Sequence, residues 1–409
     1  MTEPNRDEAK RLRERGEYAG ALAHFAPLWE RDRQPWDGWG TALCLRRLGR
    51  HEDAIDVCRA VLKAHPDHHA TRGIAAWCLR DRIPHGNPDL TTVMATIDSI
   101  ERVLSPTPDG LYGHPSAFVR AVLDASKRLE TAARWDSSAD LLLRLDADRL
   151  DRKPGRSGDI EFQSEFEQWA NRLTKSLDRA HRWDELVAAT TTALKAGIRF
   201  HDGQERWVRY RQAKALHHLG RNDEAWEALG RCGQDHVAID ALKADVLVAL
   251  GEEEKALALY ARALLAATDL GPMVNVLDRV ADLLPAEDSD ADRHRQLARA
   301  VRSEKGWPIA EGPSVPLHSE PIEELRSLLT NTWQRWLPTT ARVGGVITAL
   351  LPNGFAGFIR GDDGHDYYFP VKELRGDGAV GAPVEFEPYE RWDAKKERMS
   401  PAARKVTLA

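Results

Sequence analysis

Cysteine is scarce in this chain of 409 residues. Only Cys44, Cys58, Cys78 and Cys232 occur, and no two stand in a CxxC spacing. Neither a disulfide framework nor a zinc knuckle is indicated. Long apolar runs are missing too: nothing approaches the roughly 20 residues that cross a bilayer. The start, Met1 to Arg6, is polar and lacks the apolar core of a signal peptide. Together these absences point to a reducing cytoplasm. An excess of basic charge is also absent, with 58 Lys and Arg against 64 Asp and Glu and a net charge of -6. A protein that coats nucleic acid with its whole surface is thereby excluded, so any such contact has to be local. Signatures of catalysis are missing as well: no Gly-x-Ser-x-Gly elbow, no P-loop and no HExxH. His65, His68 and His69 bracket Pro66 in a turn with no third ligand near them, so no metal site is expected. The segment Arg152–Gly158 is basic and holds glycine. It lacks the preceding strand and the Gly-Lys-Ser/Thr ending of a phosphate loop, and it reads as an exposed loop. No catalytic residue, metal or cofactor is expected.

What the chain does contain is repetition. Gly16, Ala21 and Phe25 stand at the same spacing as Gly49, Ala54 and Cys58. The pattern returns at Gly220, Ala225 and Leu229, and again at Gly251, Ala256 and Tyr260. A glycine ends one helix in a left-handed cap. A polar residue starts the next. The alanine lets two antiparallel helices approach, and the larger residue one turn later fills the gap. A weaker repeat fills the middle, where Lys127–Asp136 parallels Lys175–Asp184 around Trp135 and Trp183. Gly- and Pro-containing insertions are expected at Arg82–Asn87, Ser105–Pro115 and Asp151–Asp159.

These units resemble the tetratricopeptide repeat family, whose unit is a helix pair of about 34 residues. The resemblance covers residues 38–66 well and 3–35, 206–232 and 237–268 less closely. It departs from the family at Gly38, where the family has a large residue, although Trp36 and Trp39 flank it. It implies an α-solenoid over residues 1–305, with degenerate units around 82–200. It also implies a concave groove lined by the first helix of each pair. Carried over position by position, the groove residues are Arg6, Lys10 and Arg13, then Trp39, Leu43 and Arg46, and further on Tyr210, Lys214 and His217. Basic and aromatic side chains there would hold carboxylates or acidic segments of a protein partner. The alternative is solvated helix faces with snorkelling basic side chains.

Residues 306–340 read as a Pro- and Gly-rich linker followed by one amphipathic helix over Glu323–Leu337. That helix would dock on a barrel or cap the solenoid. From residue 341 the period changes. Arg342–Leu350, Phe355–Arg360, Asp366–Val371, Ala382–Pro388 and Ala403–Leu408 read as five strands of a small barrel. Gly345–Leu350, Gly354–Ile359, Asp366–Pro370, Gly381–Phe386 and Pro401–Val406 resemble the strands of the cold-shock domain family. The resemblance implies an OB-fold over 341–409. It also implies binding of single strands through outward-facing aromatics. Phe358 and Tyr368 match two of its stacking positions. Ala349, Ala356 and Pro370 stand where the family has a Trp, a Phe and a His, so the platform is reduced. Phe355 would supplement it after a one-residue shift of register. Arg360 and Lys372 add charge along the path. The expected loop Glu390–Arg398 offers Trp392, Lys395 and Lys396 as a second platform. From residue 341 onward, basic and acidic residues balance at ten each, so affinity for RNA or DNA is expected to be modest and dependent on salt.

The whole reads as a mostly α, non-enzymatic adaptor. Its repeats would hold a protein partner, and its barrel would touch single-stranded RNA or DNA. The combination resembles components of bacterial regulatory or conflict systems. The alternative is a purely protein-binding scaffold whose barrel is a docking or capping module. That alternative would pack the barrel on Trp333 and Trp336, bury Phe358, and place Phe355, Tyr367 and Phe369 in the core.

Overall fold

The computed structural model describes residues 3–83, 89–106, 110–113, 115–233, 236–309, 321–337, 342–352, 354–393 and 398–409. The chain divides into two compact units, Met1–Gln204 and Glu205–Ala409. Among the described residues, no helix is long and apolar enough to cross a membrane.

The first unit is an array of helices: α1 (Arg6–Glu14), α2 (Tyr18–Asp32), α3 (Pro35–Arg47), α4 (His51–Ala64), α5 (His69–Asp81), α6 (Leu90–Leu104), α7 (Ala117–Thr131), α8 (Trp135–Leu142), α9 (Glu165–Arg179) and α10 (Trp183–Lys195). The turns within its pairs share one hydrogen-bond pattern. At the end of α1, Gly16 N–H donates to the Arg13 carbonyl and Glu17 N–H to the Leu12 carbonyl. At the end of α3, Gly49 and Arg50 donate to Arg46 and Leu45 in the same way. Each glycine has a positive φ, +80° and +77°, which a residue without Cβ adopts freely. The same bonds close α7 and α9, but there Ala133 (φ 53°) and His181 (φ 56°) occupy the glycine position. A Cβ in this conformation costs about 1–2 kcal/mol. The middle units thus keep the helix-pair geometry without its glycine. Ala21 and Ala54 are fully buried, and so are Ser138 and Leu186 at the matching places.

Between α8 and α9 lies a short antiparallel hairpin, β1 (Gly155–Ser157) and β2 (Ile160–Phe162). The loop expected there is therefore partly β. Its six strand residues are all exposed, as a surface segment requires. Three-residue strands are too short for alternation to be read from sequence. Parts of the insertions at 82–87 and 105–115 lie outside the described residues.

The second unit holds α11 (Gln204–His218), α12 (Asn222–Gly230), α13 (Val237–Ala249), α14 (Glu253–Ala266), α15 (Val274–Leu283), α16 (Ser289–Glu304) and α17 (Ile322–Trp336). Helix α17 packs on α14 and α16. Leu325, Leu329 and Trp333 join the core cluster that contains Tyr260, Leu277 and Leu297. Of the two places expected for this helix, it takes the end of the helical array.

His294 in α16 fixes the docking. The side chain is fully buried. Its Nδ1–H donates to the Asp290 carbonyl at 2.6 Å, and its Nε2 accepts from Trp333 Nε1–H at 2.9 Å. The Trp336 ring stacks on it at 5.8 Å. Both nitrogens are satisfied only in the neutral ring. Burial accordingly pushes the imidazole below its ordinary 6.5, against the opposing pull of the Asp290 carbonyl and nearby carboxylates. A group depressed in the fold takes up its proton more readily when unfolded. Its stabilisation is complete above the unfolded value and is lost as pH falls below it. Protection factors of the α17 amides, which correct for the base-catalysed intrinsic rate, are therefore expected to be lower near pH 5.5 than near pH 7.5. Equal protection at both values would contradict this account.

The remaining strands are β3 (Val343–Leu350), β4 (Ala356–Gly361), β5 (Asp366–Pro370), β6 (Leu374–Arg375), β7 (Pro383–Asp393) and β8 (Arg398–Leu408). The order is β5-β4-β3-β7-β8-β6. A parallel pairing of Tyr368 with Ala402 joins β5 to β8, so the five longer strands close on themselves. Ile347, Ile359, Tyr367, Phe369, Val384, Phe386, Ala403 and Val406 fill the interior. Among the described residues there are thus six strands where five were expected. The largest departure is in the last two: residues read as a loop at 390–393 and 398 belong to a ribbon in which Trp392 pairs with Met399 and Asp393 with Arg398.

Candidate interaction surfaces

In the sheet domain the alternation of β4 and β5 sorts the aromatics. Ile359, Tyr367 and Phe369 point inward, and Phe358 and Tyr368 stand opposite each other on the outer face. Their rings meet edge to face at 5.9 Å. Phe358 is 37% exposed. Burial and a hydrogen bond to Asp363 push the inward Tyr367 hydroxyl up to about 12. A cleft of about 770 Å³ opens over the outer pair, lined also by Thr348, Ala349, Arg360 and Arg391. Arg360 is tied to Asp366 at 2.6 Å. The Arg391 guanidinium lies 4.1 Å over the Tyr368 ring. Among the described residues it has no carboxylate partner.

Of the residues expected on this surface, the structure brings together Phe358, Tyr368 and Arg360. Phe355 precedes β4 and is 78% exposed, so it is not core, but it does not line the cleft. Lys372 is exposed in the turn after β5. Trp392 faces a different cleft, with Arg231 4.6 Å over its ring. Lys395 and Lys396 lie outside the described residues. Ala356 is buried, and Ala349 pairs with Phe358 across β3 and β4. Arg391 is the residue that sequence reasoning missed. Its signal was the alternation of Tyr389, Arg391 and Asp393, legible only if β7 is carried past Pro388.

In the first unit, Arg6, Lys10, Arg13 and Trp39 line one cleft of about 590 Å³, together with Trp36. The Arg6 guanidinium is held at 2.8 Å by the buried carboxylate of Asp37 and also by Asp32. Arg13 lies 5.2 Å over Trp39. Lys10 is the more exposed cation, 3.6 Å from Asp7. Trp36 is 61% exposed and meets Trp39 and His68 edge to face. Burial holds His68 below its ordinary value. Arg46 is not part of this cleft. It pairs with Asp81 at 2.8 Å and covers Trp77. Leu43 packs against the apolar core around Ala42 and Ile55. Tyr210, Lys214 and His217 all lie on α11 of the second unit. There Tyr210 meets Trp207, which meets His236, an arrangement like that of Trp39, Trp36 and His68. The His217 ring binds Asn222 at 2.8 Å. His65, considered above as a ligand, contacts the Arg33 carbonyl instead.

Residues 39–68 match the family model of the tetratricopeptide repeat. That stretch is similar to a tetratricopeptide repeat. Solved structures similar to the chain include a tetratricopeptide repeat protein from Parabacteroides merdae, at 10% identity over 63% of this chain and 90% of that one, with a TM-score of 0.29. Another is the TPR2AB domain of yeast Sti1 in its pHSP90 complex, at 14% identity over 63% of this chain and 96% of that one, with a TM-score of 0.25. The TPR domain of P58(IPK) is similar at 14% identity over 81% and 96%, with a TM-score of 0.23. No curated protein matches the sequence.

Proposed function

We propose that the chain is a non-catalytic adaptor whose helical repeats hold a protein partner and whose C-terminal barrel binds single-stranded RNA or DNA. The observation that carries the second half is the cleft over Phe358 and Tyr368, with Arg391 stacked on the tyrosine. An exposed π-face beside an uncompensated guanidinium suits a base followed by its phosphate. The strand pairing supports an OB-type barrel: β3 pairs with β4 and β7, and β5 meets β8 in parallel. The first half rests on the repeat at 39–68 and on the aromatic and basic cleft around Trp36, Lys10 and Arg13.

Titration of the full chain with fluorescent oligonucleotides at low and high salt tests the nucleic-acid half. Phe358→Ala and Tyr368→Ala are each expected to weaken binding by about 1–3 kcal/mol, the worth of one stacking contact. No binding at low salt, or binding indifferent to both changes, would leave the barrel as a protein-docking module.

A further inference from the structure

Beside the barrel cleft, the second unit contains another of about 550 Å³, between the β7–β8 ribbon and α12–α14. Its lining carries Arg231, Lys243, Arg262, Arg391 and Arg404 against one carboxylate, Glu390. Three guanidinium–aromatic stacks run along this region: Arg391 on Tyr368 at 4.1 Å, Arg404 on Tyr389 at 5.9 Å, and Arg231 on Trp392 at 4.6 Å. Trp226, 41% exposed, adds a further indole at the wall. Arg391 lines both clefts.

The cations of this lining are compensated in part. Arg262 pairs with the buried Asp240, Arg231 with Glu227, and Arg404 with Glu387 at 3.2 Å. A guanidinium has five donors, so one bonded to a carboxylate retains donors for a phosphate. Stacking on an aromatic holds the planar group in place and reduces the entropy lost when a ligand binds. The arrangement repeats a π-face next to a fixed cation, which matches the alternation of base and phosphate along a single strand.

We infer that a single-stranded phosphodiester chain leaving the barrel cleft passes over Arg391 and enters this second cleft, where Arg231 and Lys243 contact its backbone. The helical repeats then contribute directly to nucleic-acid binding. The inference rests on the reading of the barrel as a single-strand binder, and it extends the site beyond the barrel.

The test uses the full chain and fluorescein-labelled oligothymidylate and oligouridylate, each in lengths of about four and about twelve nucleotides, within the range one OB-type barrel covers. The double variant Arg231→Ala with Lys243→Ala removes one exposed and one half-buried cation. It is expected to weaken binding of the long oligomers and leave the short ones unchanged. It is also expected to make the slope of log affinity against log salt shallower by about 0.7 for each phosphate that is no longer neutralised. The two oligomer chemistries tell DNA from RNA. Long and short oligomers affected equally, or neither affected while Tyr368→Ala abolishes binding, would overturn the second cleft and leave the barrel site standing. Failure of the parent chain to bind any oligomer would overturn both readings.

Discussion

Replacing Trp333 with alanine is expected to lower the unfolding free energy of the C-terminal helices by about 3–5 kcal/mol, the usual range for removing a buried large aromatic. Trp333 is fully buried and belongs to the cluster that seals α17 against the array. Two losses combine. The first is the cavity left in the cluster that Trp333 shares with Tyr260, Leu297 and Val301 of α14 and α16. The second is polar. Trp333 Nε1–H satisfies His294 Nε2, and without it a fully buried ring nitrogen has no partner. Trp333→Phe separates the two. It retains most of the apolar volume and removes the hydrogen bond, at an expected cost of about 1–3 kcal/mol. Urea unfolding monitored by circular dichroism measures both. An alanine variant within about 0.5 kcal/mol of the parent would show that α17 contributes little to the array.

The helix pairs were legible because their geometry requires residues that stand out in sequence. A left-handed turn asks for glycine, and close helix approach asks for alanine. Hence Gly16 with Ala21 and Gly49 with Ala54 reveal the period. Where Ala133 and His181 adopt the glycine conformation, the marker disappears and only the flanking repeat betrays the unit. The outward placing of Phe358 and Tyr368 was legible from the resemblance of their strands to those of the cold-shock domain family. The length of β7 was not. Beyond Phe386, no described residue of β7 is fully buried, so its charged sequence resembles a loop. Arg391 was lost with it. The ion pairs of the groove arginines were not legible for another reason: the carboxylates of Arg6 and Arg46, Asp37 and Asp81, lie 31 and 35 residues downstream. Those separations are about one repeat, and a search for charges at the repeat offset would have found them.

Gly38 is where family resemblance and physical packing give opposite predictions. The repeat pattern has a large residue at this position, so Gly38→Leu should improve the unit by consensus reasoning. The structure argues the reverse. Gly38 lies in α3 and is buried, and a Cβ built on it collides with Val61 Cγ2 and comes within 2.9 Å of Trp29 Cε3. Trp29 and Val61 already fill the volume that the family gives to its large residue. Both are rigid side chains, one an indole and one β-branched, so neither can swing aside cheaply. Gly38→Leu is therefore expected to destabilise the first unit by about 3 kcal/mol, the upper part of the overpacking range. Gly73→Ala in α5 serves as the control, because nothing lies within 4 Å of its Cβ position. It is expected to stabilise by up to about 1 kcal/mol through helix propensity alone. If the collision is the cause, Val61→Ala should restore part of the loss in Gly38→Leu, although alone it opens a cavity. Denaturation midpoints of the parent and the four variants decide the matter. A Gly38→Leu variant at least as stable as its parent would place the family's large residue in space that the structure gives to Trp29.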